Sequence, residues 1–245
     1  MIRIGGAIGY WGEADLALPQ FLAEANLDFI VFDYLAEITM SIMARAKASD
    51  PGKGYATDFV SGVMAPHLDS IAQSGIKLIS NAGGVNPEGC GAAIRQLVDT
   101  AGLSLKVAVV TGDDLMPRLD TLLDVQPREM FSGDRLPPRE SIASANVYLG
   151  AFPIAEALDQ GADIVITGRC VDSAVTLGAC IHRYGWEPGD LDLLAAGSLA
   201  GHLIECGPQA TGGNYTDWHE VAETLHEVGY PIAEIDGDGS FVITK

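Results

Sequence analysis

Six short apolar runs recur along the 245 residues: Ile2 to Ala7, Asp28 to Phe32, Lys77 to Ser80, Lys106 to Val110, Asn146 to Leu149 and Asp163 to Thr167. Each has strand length, and each is followed by a Gly, Asn or Asp cluster and then a helical pattern. Phe29-Ile30-Val31-Phe32 and Val107-Ala108-Val109-Val110 show no polar alternation, as expected of strands covered by helices on both faces. This is the βα rhythm of a parallel sheet. The expected fold is α/β, a mostly parallel sheet with helices on both faces. A closed α/β barrel is the rival, since it too gathers strand-end loops on one side; the open sheet is preferred because only six runs are visible.

After Ile164-Val165-Ile166, the residues Val171, Ala174, Val175, Gly178 and Ala179 recur at helical spacing, and Gly185 and Pro188 end that helix. Asp190 to Glu205 reads as another helix, opened by a capping Asp and closed by Gly207-Pro208. Gln126 to Glu140, with Pro127, Gly133, Pro137 and Pro138, reads as a surface excursion. Tyr230 to Lys245 carries two β-prone runs around Asp236-Gly237-Asp238-Gly239, a hairpin signature. No repeat is visible, and residues 1–245 read as one α/β domain.

Composition excludes several function classes. Fourteen basic against 33 acidic residues give a formal charge of -19, which repels a phosphate backbone, so nucleic acid is not an expected partner. Cys90, Cys170, Cys180 and Cys206 lie far apart without C-x-x-C pairing, against a zinc module or disulfide framework and for reduced thiols in the cytoplasm. The N-terminus lacks a signal-peptide pattern. The longest stretch free of Asp, Glu, Lys and Arg, Ser141 to Ala155, is short of the roughly 20 residues that span a bilayer.

In a parallel α/β sheet, ligands bind beyond the carboxyl ends of the strands, so the residues after each run are the candidates. After the second run stand Asp33 and Glu37: either a carboxylate pair for acid–base work or for a cation, or a helix N-terminal acid beside a surface Glu. After the third, Asn81-Ala82-Gly83-Gly84-Val85-Asn86-Pro87 offers an anion cradle from Gly83 and Gly84 with Asn81 and Asn86 as donors and acceptors; a turn and helix cap explain the same letters. Neither G-x-G-x-x-G nor G-x-x-x-x-G-K-[ST] occurs. After the sixth, Gly168-Arg169-Cys170-Val171-Asp172 brings an Arg to a helix N-terminus, a receptor for carboxylate or phosphate, with Asp172 either orienting Arg169 or capping the helix. Further on, His202 and Glu205 share a helical face, as acid–base partners or metal ligands, and lead into Thr211, Gly212, Gly213 and Asn214. Cys206 reads as a nucleophile or, more commonly for cysteine, as packing.

Tyr34-Leu35-Ala36-Glu37-Ile38-Thr39-Met40, Asn81 to Pro87, Ala162 to Arg169, Gly201-His202-Leu203-Ile204-Glu205-Cys206-Gly207 and Gly229 to Glu234, taken in order, resemble the acyclic terpene utilisation (AtuA) family over essentially the whole chain. The resemblance implies a cytoplasmic protein of acyclic terpenoid catabolism, which runs through coenzyme A thioesters. It also implies that residues 1–245 are the N-terminal portion of a longer protein, since family members extend beyond the segment resembling Phe241 to Lys245. Gly9-Tyr10-Trp11-Gly12-Glu13 departs from the family's Gly-Phe-x-Gly-Asp pattern, so Glu13 is given no catalytic role. The expected function is a lyase or hydratase acting on an anionic or CoA-linked branched acyl substrate. Asp33, Glu37, Arg169, Asp172, His202 and Glu205 are its candidate catalytic groups. Asn81, Gly83, Gly84, Asn86, Gly168, Thr211, Gly212, Gly213 and Asn214 are its candidate binding residues. No metal site is assigned, and the only cofactor expected is the substrate's own CoA moiety. The alternative is a non-catalytic binding or assembly subunit of an acyl-CoA carboxylase. Expected partners are a small-molecule substrate such as an acyl-CoA, and either a second copy of the chain or a C-terminal segment covering the tail hairpin, with neither nucleic acid nor membrane.

Overall fold

The computed structural model describes residues 1–24 and 26–245. Seven strands, β1 (Ile2–Gly6), β2 (Phe29–Phe32), β3 (Lys77–Ser80), β4 (Val107–Val110), β5 (Ile164–Thr167), β6 (Ile232–Ile235) and β7 (Phe241–Thr244), form one sheet in the order β4-β5-β3-β2-β1-β6-β7. The first five are mutually parallel, β6 runs antiparallel to β1, and β7 antiparallel to β6. The fold is the expected mostly parallel α/β sheet, and the tail forms the expected hairpin.

Eight α-helices accompany it among the described residues: α1 (Ala14–Glu24), α2 (Glu37–Ser49), α3 (Ala65–Ser74), α4 (Pro87–Ala101), α5 (Leu119–Asp124), α6 (Phe152–Asp159), α7 (Ala174–Tyr184) and α8 (Leu191–Ile204). Alternate residues of the fully buried strands feed two separate cores. Ile30, Phe32, Leu78 and Ile166 meet α1 to α4 and the π-helical stretch Phe59–Met64, whereas Phe29, Val31, Ile79 and Val165 meet α6, α7 and α8. The helices change face where the chain turns back from the edge strand β4 to insert β5. A right-handed crossover running in the opposite direction puts its helix on the opposite face. None of the described helices is long and apolar enough to cross a membrane.

Two local expectations are corrected. Asn146 to Leu149 is not a strand. It makes isolated bridges with Asp114 and Cys170, residues that lie past the ends of β4 and β5, so it crosses over the strand ends instead of joining the ladder. For the same reason α7 begins at Ala174: Val171 is drawn off by a backbone bond to Leu149. Gly178 nevertheless allows the close contact its spacing suggested, since a Cβ there would stand 2.6 Å from the side chain of Ile154 on α6. Asp190 occupies the N-cap of α8, but its carboxylate accepts from the Glu187 N–H at 2.8 Å and makes no cap bond. Gln126 to Glu140 is mostly exposed and irregular, as expected.

Candidate functional site

Register brings the first groups together. Phe32 pairs with Ser80 and Ser80 with Ile166, so the residues following β2, β3 and β5 emerge side by side. Asn81, fully buried, joins two of these loops: its Oδ1 accepts from the Tyr34 N–H at 2.7 Å, and its Nδ2 donates to Asp33 Oδ1 at 2.5 Å. From the third loop comes Asp172, which accepts from Nη1 of Arg169 at 2.7 Å.

The remaining carboxylate arrives from the end of α8. A Cβ at Gly6 would stand 2.2 Å from the Ile204 carbonyl oxygen, and one at Gly9 would stand 1.9 Å from that of Cys206. Only glycine permits this approach, which seats Glu205 beside the other two acids. Oxygens of Asp33, Asp172 and Glu205 lie within 4.8 Å of one another. Three carboxylates so close share a proton or a cation more readily than three full charges.

The electrostatics follow from that crowding. Burial pushes the Asp33 carboxyl up to about 7, against the hydrogen bond from Asn81, and the charges of Asp172 and Glu205 push the same way. Burial also raises Glu205, followed by the charge of Asp172, while His202 and Arg169 pull it down. His202 Nδ1 lies 3.0 Å from Glu205 Oε1 with its ring largely exposed, linking the cluster to solvent. The three acids line a cavity of about 520 Å³ whose apolar wall includes Trp11, Leu35, Ile38 and Ile42.

Residues 2–245 match the sequence model of a family described as acyclic terpene utilisation family protein AtuA. The chain belongs to the acyclic terpene utilisation (AtuA) family. No curated protein and no solved structure matches it. The family's name points to a role in acyclic terpene utilisation.

In this AtuA family member, Arg169 is a buried cross-tie. Only 3% of it is exposed, and its Nη1 donates to Leu35 O at 2.9 Å and Cys170 O at 3.1 Å as well as to Asp172. Its guanidinium carbon lies 4.0 Å from the centre of the Tyr148 ring, whose hydroxyl donates to Glu37, itself 3.7 Å from Nη2. Glu37 thus stands on the far side of Arg169 from the three acids.

Several predicted binding residues serve the fold instead. The N–H groups of Gly83 and Gly84 donate to Thr167 O and Asn81 O, which leaves no anion cradle. A Cβ on Gly83 would come within 2.4 Å of the Thr167 carbonyl oxygen. Asn86 caps α4 by accepting from the Gly89 N–H, and its amide donates to Lys53 O. Thr211 donates to Gly229 O at 2.6 Å, the Gly213 N–H donates to Pro208 O, and Asn214 donates to Gln209. Gly212, at φ +116°, makes the turn between them. These bonds tie the segment to itself and to Gly229, and it does not line the carboxylate cavity.

Sequence reasoning missed Asp113. It is buried, it accepts from the Arg169 N–H and the Asn146 amide, each at 2.8 Å, and burial raises its pKa. Gly168 makes room for it, since a Cβ there would stand 2.4 Å from its carboxylate. Its position just after β4 was the available signal. The Cys206 thiol is raised, first by burial and then by Glu205, Asp33 and Asp172, and so is held in the form that does not attack.

Proposed function

We propose that this AtuA family member is an enzyme that adds or removes water across a double bond of a branched acyl substrate, anionic or CoA-linked. The observation that carries the reading is the cluster of Asp33, Asp172 and Glu205 in an apolar-walled cavity, where burial pushes the Asp33 carboxyl up to about 7. Crowded carboxyls do not all ionise together, so one that keeps its proton can serve as acid beside an ionised neighbour as base. In the hydration direction, the Glu205 carboxylate takes a proton from water as its oxygen bonds to the β carbon. The protonated Asp33 then delivers its proton to the α carbon. Water is consumed, and each carboxyl has exchanged its protonation state. The starting state returns when Glu205 gives up its proton by way of His202, on its solvent side, and Asp33 regains one from water entering the cavity. Ile38, Ile42 and Trp11 receive the branched chain, and Asp172 ties the cluster to Arg169.

The test is incubation of the protein with a series of branched α,β-unsaturated acyl-CoA esters, following loss of the conjugated absorbance and the mass of the product. Turnover is expected to depend on a group titrating near pH 7 and to vanish in Asp33→Asn. Unchanged turnover in that variant would sink the assignment. Tight binding without consumption of any ester would favour a binding subunit instead.

A further inference from the structure

A second cavity, of about 530 Å³, opens on a different face of α2 from the carboxylates, against the segment that crosses the strand ends. It is lined by Arg45, Arg169, Ser41, Ser141, Ser144 and Asn146, so donors dominate its polar wall. Its one acid, Glu37, is already engaged by the Tyr148 hydroxyl. Arg45 is exposed and has no salt bridge among the described residues, in a chain where acids outnumber bases 33 to 14.

Arg169 adds a second, independent feature. Its side-chain hydrogen bonds among the described residues all leave from Nη1, toward Leu35, Cys170 and Asp172. The other edge of the guanidinium, Nε with Nη2, is the side-on fork that matches two oxygens of an oxyanion. Nε is buried without any acceptor, and Nη2 has only Glu37 at 3.7 Å, beyond hydrogen-bond reach. A buried, unpartnered donor calls for an explanation, and a ligand oxygen supplies one.

We propose that this cavity is an oxyanion site taking a phosphate or carboxylate group, held by Arg45 and the Nε/Nη2 edge of Arg169 with the serine hydroxyls as further donors. It deepens the reading above, because it seats the anionic part of the substrate on one side of α2 while the acyl chain meets the acids on the other. The binding itself does not depend on the chemistry.

Calorimetric titration of the protein with sodium phosphate and, separately, sodium malonate in a low-salt buffer tests it. At least one anion is expected to bind saturably at one site. Arg45→Ala should weaken that binding by about tenfold or more and Ser144→Ala by about threefold, with Arg183→Ala as a distant control unchanged. Preference for phosphate assigns a phosphoryl group, and preference for malonate a carboxylate. Absence of binding by both anions overturns the site, as does equal weakening by Arg45→Ala and Arg183→Ala, or unchanged affinity in both Arg45→Ala and Ser144→Ala. Turnover is not read, so a failed hydration assay leaves the site standing, and failed anion binding leaves the Asp33 assignment standing.

Discussion

Asp33 holds a carboxyl that folding pushes up to about 7, from roughly 3.9 in an unfolded chain. Below about pH 4 it is protonated in both states and the difference has no effect. Between about 4 and 7 the unfolded chain sheds the proton while the folded one keeps it, so this group's contribution to stability falls as pH rises, and above 7 the loss is constant. Asn at this position still accepts from Asn81 and carries no charge. Asp33→Asn is therefore expected to be more stable than the parent by on the order of 2 kcal/mol at pH 8, with the difference closing near pH 4. Urea titrations at the two pH values measure it, and a less stable variant at pH 8 would show that the carboxylate is not strained. Arg169 gives the opposite sign. Its removal strands Leu35 O, Cys170 O and Asp172, and Arg169→Ala should lose about 3 kcal/mol, of which Lys recovers only part because it cannot keep the fork geometry. A variant as stable as the parent in urea would mean that water replaces the guanidinium.

At the scale of elements, the glycines at the end of β1 decide whether α8 reaches the site. Gly6→Ala places a methyl 2.2 Å from the Ile204 carbonyl oxygen, so the end of α8 must move and carry Glu205 with it. A loss of about 2–3 kcal/mol is expected together with loss of turnover. Gly62→Ala, with open space around it in a π-helical stretch, should be neutral or slightly stabilising. Thermal melts of the two variants separate a close approach from ordinary helix propensity, and equal effects would mean that the contact at Gly6 is relieved without cost. This contact also marks where the sequence stopped being readable. Asp33, Asn81 and Arg169 were legible because the strand runs are unbroken and the strand-end rule places the loop residues next to them. Asp113 obeyed the same rule and was overlooked. The seating of Glu205 beside Asp33 was legible only as residues on a helix, because the contact that fixes it joins β1 to α8 across 198 positions (204 − 6) and leaves no local pattern. Gly83 and Gly84 misled for a related reason: a turn that receives bonds and a turn that offers them are spelled alike, and Thr167 and Asn81 decide which this is.

For the whole molecule, the dominant quantity is the excess of acids, 33 − 14 = 19 charges. The ion pairs of Arg3 with Glu234, Lys77 with Asp163 and Arg139 with Asp120 are partly or largely exposed and offset little of the repulsion. The folded state concentrates these charges more than the unfolded chain does, so salt that shortens the screening length to below about 10 Å relieves the folded state more. The melting temperature is expected to rise by about 2–4 °C between roughly 10 mM and 0.5 M NaCl, equivalent to about 1 kcal/mol in a chain of this size. A melting temperature that falls over that range would mean that attraction within the ion pairs outweighs the net repulsion. On an incoming anion the same screening acts on two opposing terms, the repulsion of the general field and the attraction of the two guanidiniums. Arg45 is exposed and its attraction is strongly screened, while that of the buried Arg169 is screened less. Raising the salt should therefore disfavour phosphate or malonate binding more in the parent than in Arg45→Ala, measured by the same titrations at several NaCl concentrations. An identical salt slope in both proteins would place the attracting charge elsewhere than at Arg45.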